Sequence, residues 1–161
     1  MQARTSVRAL LISEQTHILL SRVRVNGPDK IVWIVPGGGL EPGETHLAGL
    51  EREVYEETGY RGALEAQLVW RGISEYVLNG VAVRQTDHFY WCRVKKFAAK
   101  PVYLEPGDEK NNFFEMRWWS LSELETSAEV FGPRQLAKHL SQLIEGGSPD
   151  EPIDLEPLLM T

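Results

Sequence analysis

The chain has 161 residues, a formal charge of -6, and a composition of 42% hydrophobic and 25% charged residues. That length suits one domain able to bury a core without disulfides or a structural metal, and the composition excludes a disordered or fibrous chain. The acidic balance argues against a nucleic-acid polymer as partner, so a phosphate-bearing ligand must be held by local positive groups or by metal ions.

Ser6 to Ile12 and His17 to Val25 are two β-type runs around the polar Ser13-Glu14-Gln15-Thr16, a hairpin signal. Ile31 to Val35 leads into Pro36-Gly37-Gly38-Gly39, where a proline and three glycines predict a loop rather than a helix or an ordinary strand. Leu47, Leu50 and Val54 have helical spacing, so a helix is expected over Thr45 to Thr58, capped by Glu44 or Thr45 and ended by Gly59. Further strands are predicted at Glu65 to Trp70, Ile73 to Leu78, Val81 to Val94 and Phe113 to Trp119, with Asn79-Gly80 as a tight hairpin turn. Pro101 to Asn112 reads as a loop. Ser120 to Glu125 and Pro133 to Ile144 read as a short and a longer helix, the second with Leu136, Leu140 and Leu143 facing the core.

The reading is therefore an α/β domain over residues 1–146, a sheet packed between helices, followed by an acidic, proline- and glycine-rich tail over 147–161 that is expected to be loosely attached. Cys92 is the only cysteine. It lies in a strand and is expected to be a small buried hydrophobe. Met1 to Arg8 lacks the apolar core of a signal peptide, and no run approaches the ~20 apolar residues that cross a bilayer, so a cytoplasmic location without a membrane partner is expected.

Successive helical residues turn by about 100 degrees, so Glu53, Glu56 and Glu57 share one face of the helix, beside the stripe of Leu47, Leu50 and Val54. Gly49, one turn before Glu53, adds no side chain there and would let the glycine loop approach the carboxylates. Three acids at this spacing repel one another, and a cation would relieve them. Hard oxygen ligands suit Mg²⁺, which binds through few carboxylates plus phosphate oxygens and water, with Mn²⁺ the alternative ion. By itself such a run is more often a solvated helix face.

The run is not isolated. Gly38, Glu44, Arg52, Glu53, Val54, Glu56, Glu57 and Gly59 match the pattern Gly-x5-Glu-x7-Arg-Glu-U-x-Glu-Glu-x-Gly-U, where U is a bulky aliphatic; Tyr60 at the last U is the one departure. In this the chain resembles the Nudix hydrolase family of MutT-like enzymes. The resemblance implies the Nudix fold, a mixed sheet sandwiched between helices, and a Mg²⁺-dependent pyrophosphohydrolase. It implies metal ligation by Glu53, Glu56, Glu57 and the main-chain carbonyl of Gly37, with Gly38 and Gly39 forming the platform for a diphosphate. Arg52 would orient the acids, Glu44 would support the loop-helix-loop or cap it, and Glu53 is the first candidate for the base that takes a proton from the attacking water. The position that supplies an extra acid in some relatives falls on Asn112, leaving Asp108 and above all Glu109 as candidate loop acids.

Substrate is less constrained by these residues. Tyr76 falls where some relatives that cleave dinucleoside polyphosphates carry a tyrosine, and is the candidate to stack on a base. Phe89, Tyr90 and Trp119 are read as packing, and Arg134 and Gln135 as surface. The longer signatures associated with NADH, coenzyme A or ADP-ribose substrates are not found. A nucleoside triphosphate, giving the monophosphate and pyrophosphate, is the favoured substrate. A dinucleoside polyphosphate or nucleotide sugar is the alternative, and a non-catalytic nucleotide sensor is the rival of another class. The chain is expected to be a monomer or homodimer.

Overall fold

In the first strand, residues of opposite parity build two cores at once, as a strand buried on both faces requires. The structure, a computed structural model, describes residues 1–25, 30–102 and 112–156. In β1 (Gln2–Ile12), Leu10 and Ile12 join one cluster, with Trp33, Trp70, Phe89, Trp119, Leu136 and Leu140. Val7, Ala9 and Leu11 point the other way, into a cluster with Leu50, Val54, Leu64 and Cys92. Helix α1 (His46–Thr58) covers the second cluster, while α2 (Leu121–Thr126) and α3 (Leu136–Gly146) cover the first. Cys92 is fully buried, and its thiol is pushed up to about 12 by desolvation, then by the Glu51 charge, which bears out its reading as a buried hydrophobe.

Among the described residues one mixed sheet runs in the order β8 (Phe131–Gly132), β3 (Ile31–Ile34), β2 (Ile18–Arg24), β1, β6 (Val81–Arg93), β5 (Ala66–Leu78), β9 (Ile153–Asp154). Strand β7 (Phe113–Trp119) adds to β2, and β4 (Gly37–Gly39) to β1. β1 and β6 are parallel along their whole length, from Gln2 opposite Val83 to Ile12 opposite Arg93. The other edge of β1 is divided. β2 meets it only where Ile12 faces Ile18, and β4 takes Ser6, Val7 and Arg8. The expected α/β sandwich is thus observed. Among the described residues no helix is long and apolar enough to cross a membrane.

Several elements differ from the sequence expectation. Gly37–Gly39 is not a free loop but a short antiparallel strand, prolonged by hydrogen bonds from Ala9 N to Pro36 O (2.8 Å) and Leu40 N to Thr5 O (3.0 Å). The glycines lack side chains, which lets this segment lie flat between β1 and α1. The two strands expected at 65–70 and 73–78 are one, β5, because the ladder with β6 passes straight through Gly72, opposite Asp87. Asn79 and Gly80 form the expected turn, both with positive φ (50° and 78°). Helix α3 begins at Leu136, not Pro133, because Gln135 is left-handed (φ 57°, ψ 34°). Leu47 is 48% exposed and stands outside the core stripe. The segment after 146 is tied down as far as Leu155, whose N–H meets Arg71 O at 2.7 Å, and Ser148 Oγ bonds Gln67 Oε1 at 2.7 Å. Glu109 and Asp108 lie outside the described residues.

Candidate active site

Helix α1 starts where the Thr45 hydroxyl accepts the Ala48 N–H (3.1 Å), so Thr45, not Glu44, is its cap. It ends at Gly59, whose φ of 79° lets its N–H return to Tyr55 O at 2.8 Å. Leu50 and Val54 are completely buried, each contributing roughly 1.5–3 kcal/mol, and they fix the rotation of the helix about its axis. That rotation turns Glu53 and Glu57 toward the glycine strand.

Glu57 keeps some exposed surface, yet its carboxyl group is surrounded by protein. Its Oε2 accepts the Gly37 N–H at 2.9 Å. Desolvation pushes this acid up to about 7, opposed by the Gly37 hydrogen bond and the Arg8 charge and reinforced by the charges of Glu53 and Glu56. At Gly38 the approach is closer still: a Cβ there would lie 2.6 Å from Glu53 Oε1 and 2.8 Å from Oε2, so the backbone rests directly on that carboxylate. Gly49 has a different task from the one expected. A Cβ at Gly49 would strike Leu40 Cδ2 (2.4 Å) and Glu44 Oε1 (2.9 Å), so it makes room for the residues before the helix, not for the carboxylates.

Arg52 holds the acids in place. Its Nε donates to Glu44 Oε2 (2.8 Å) and its Nη2 to Glu44 Oε1 (2.9 Å) and to Gly39 O (3.1 Å), while Nη1 donates to Glu53 Oε1 (2.8 Å) and lies 3.5 Å from Glu56 Oε2. Glu44 Oε1 also accepts the Glu41 N–H at 3.0 Å. The Arg52 hydrogen bonds, with that N–H, hold the Glu44 carboxyl down at about 2, and in return the Arg52 guanidinium is raised above its ordinary value.

Gly37, Gly38, Gly39, Glu44, Arg52, Glu53, Glu56 and Glu57 therefore lie together. Their donors toward a cation are all hard oxygens, the kind Mg²⁺ takes. Among the described residues no three acidic, histidine or cysteine side chains converge as a ready-made metal cage. Such an open set suits an ion that completes its shell with water and phosphate.

Tyr76 lies on β5, and its hydroxyl is engaged: it accepts from Arg4 Nη1 (3.0 Å) and donates to Gln85 Oε1 (2.8 Å). Arg4 in turn lies against the glycine strand, since a Cβ on Gly39 would fall 2.6 Å from its Nη2. Phe89 and Trp119 are core residues, and the Tyr90 hydroxyl is 2.7 Å from His46 Nδ1. Asn112 is exposed, and its carbonyl accepts the Arg24 N–H at 2.9 Å. Arg134 and Gln135 are exposed.

The sequence reading passed over Ser6, Arg8, Gln85 and Asp87. Asp87 is 1% exposed, and its Oδ1 accepts the Ser6 hydroxyl, Gln85 Nε2 (2.8 Å) and Arg8 Nε (3.4 Å). A signal existed: Arg4, Ser6 and Arg8 alternate along one side of β1, as Gln85 and Asp87 do along its parallel neighbour.

Comparison with known proteins bears on the fold and the family. A family model described as the NUDIX domain matches residues 2–140. The chain is 34% identical over 146 residues to the putative mutator protein MutT4 of Mycobacterium tuberculosis (strain CDC 1551 / Oshkosh), covering 89% of this chain but 54% of that protein, so it spans about half the length of that relative. It is 29% identical over 136 residues to the diphosphoinositol polyphosphate phosphohydrolase 3-beta of Homo sapiens, covering 84% of this chain and 73% of that one. Its fold is similar to that of the NUDIX domain of Shewanella oneidensis NrtR complexed with ADP ribose, with a TM-score of 0.63, 17% identity and 89% of each chain covered. Sequence pattern, fold and family model agree, and the chain belongs to the NUDIX family.

Proposed function

We propose that this chain hydrolyses a pyrophosphate linkage in a nucleotide-like substrate. The observation that carries the reading is the clasp of Arg52 on Glu44 and Glu53, which holds an acidic cluster against the side-chain-free backbone of the glycine strand. Family membership supports it, as does the presence of a diphosphate both in the name of the human relative and in the ADP ribose of the structural neighbour. A nucleoside triphosphate, split to the monophosphate and pyrophosphate, is the substrate we favour.

Glu53, Glu56, Glu57 and the carbonyl of Gly37 would hold Mg²⁺ or Mn²⁺. When bound, the ion supplies positive charge to the phosphate oxygens. Glu53, with one oxygen fixed by Arg52, would take the proton of the attacking water, and Gly38 and Gly39 would present a side-chain-free surface to the phosphates. Glu44 keeps Arg52 aligned and does not touch substrate.

The test is phosphate and pyrophosphate release from nucleoside triphosphates, dinucleoside polyphosphates, nucleotide sugars and a diphosphoinositol polyphosphate, with and without Mg²⁺. Glu53→Gln and Glu57→Gln serve as controls. Turnover that needs the ion and both acids is expected. Tight nucleotide binding without turnover on any substrate would instead indicate a nucleotide sensor.

A further inference from the structure

A buried carboxylate costs free energy unless it is paired, and the pairing arginine normally offers its two-pronged edge. Asp87 departs from that pattern. Its side chain is 2% exposed, yet Arg8 reaches it only through Nε, at 3.4 Å, with its own side chain 20% exposed. Among the described residues the Arg8 guanidinium makes no other hydrogen bond. Its Nη edge is left uncommitted.

The remaining neutralisation of Asp87 comes through a directed relay. Arg4 donates to Tyr76, Tyr76 to Gln85 and Gln85 to Asp87 Oδ1, which Ser6 also reaches. Ser6, Gln85 and Asp87 are buried, Tyr76 is half-buried and Arg4 is exposed, so packing holds the inner end of the relay and each donor polarises the next. It fixes the end of Arg8 that faces the sheet.

The rest of Arg8 lies against the glycine strand: a Cβ on Gly37 would be 2.9 Å from its Cδ. Its charge reaches Glu57. In a chain of net charge -6, Arg8 is thus a cation whose terminal nitrogens have no partner among the described residues, across the glycine strand from the acidic cluster.

We propose that Asp87, held by Ser6 and by the Arg4–Tyr76–Gln85 relay, is a positioning residue that fixes Arg8 as the binding group for a diphosphate across the glycine strand from Glu53 and Glu57. The inference rests on the hydrolase reading above and extends it to the phosphate side of the same site. Tyr76 becomes a member of the relay rather than a stacking platform.

The experiment measures binding of methylenediphosphonate, a diphosphate mimic with no anhydride oxygen, to the full chain at saturating Mg²⁺ by calorimetry. Mg²⁺ affinity and turnover are measured on the same samples. Arg8→Gln and Asp87→Asn are each expected to weaken the mimic by about ten-fold or more, with the double variant no weaker than Arg8→Gln. Arg8→Lys should recover part of the loss, and the KM for the hydrolysed substrate should rise more than kcat falls. If Asp87→Asn does not fold, Gln85→Met removes one donor to the same oxygen and should act in the same direction. Unchanged binding of the mimic by a folded Arg8→Gln variant, or a loss confined to Mg²⁺ affinity, would overturn the proposal while leaving the hydrolase intact. A wild-type chain that neither binds the mimic nor turns over would overturn both.

Discussion

Arg52 grips both carboxylate oxygens of Glu44, at 2.8 and 2.9 Å, and with its remaining terminal nitrogen holds Glu53 at 2.8 Å. This bidentate hold is directional in a way a lysine cannot reproduce. Arg52→Lys and Glu44→Gln are therefore expected to lower kcat by roughly 10–100-fold, the range for partners that orient ligating groups, while the circular dichroism spectrum is retained. Wild-type kcat in Arg52→Lys would show that Glu53 needs no orientation.

The same pair predicts acid behaviour. Glu44 titrates at about 2 in the folded chain against an ordinary 4.5, chiefly because of its hydrogen bonds from Arg52. A depressed acid stabilises the fold fully above its unfolded value and loses that contribution as pH falls toward the folded one. Between pH 4.5 and about 2 the melting temperature of wild type should drop more steeply than that of Glu44→Gln, with the two curves converging at the acid end. Parallel curves across this window would contradict it.

His46 gives a second pH window with its own sign. Its ring is 4.7 Å from that of His88, and its proton affinity is lowered below the ordinary 6.5 by desolvation first and by His88 second. The unfolded chain takes up this proton more readily, so stability is full above pH 6.5 and falls as pH drops through and below it. His139 is shifted the same way by burial, while Glu57, raised to about 7, adds stability as pH falls, so between pH 7 and 5 His46→Gln should show a smaller loss, or a larger gain, of melting temperature than wild type. A change equal to that of wild type would sink the assignment.

Gly38 carries no side chain because Glu53 occupies the space. Gly38→Ala would force the Glu53 carboxylate aside, and turnover should fall by about 100-fold, as expected for a reacting group displaced by an ångström. Full activity in a folded Gly38→Ala chain would mean that the contact is dispensable.

Helix α1 was legible because everything that defines it is local: the Thr45 cap, Leu50 and Val54 at helical spacing, and Gly59 at the end. The grouping of Glu53, Glu56 and Glu57 followed from the same periodicity. Leu47 misled, since spacing alone cannot tell a core stripe from its margin. What escaped was non-local. Strand β4 forms only because β2 leaves β1 after a single pair, and nothing in three glycines announces a partner thirty residues away in sequence. Asp87 finds Ser6 and Arg8 only through the parallel pairing of β1 with β6, which no turn connects. The polar alternation in both strands was readable, but the register that joins them was not.

The most direct test of the central claim pairs turnover with stability in Glu57→Gln. The Glu57 carboxyl is enclosed by protein beside Glu53 and Glu56, an arrangement that costs stability unless it serves a cation and its substrate. Glu57→Gln without metal is expected to melt at or above the wild-type temperature, while Mg²⁺-dependent pyrophosphate release from nucleoside triphosphates is lost. A variant that unfolds more easily yet hydrolyses at the wild-type rate would make Glu57 a structural residue and contradict the account.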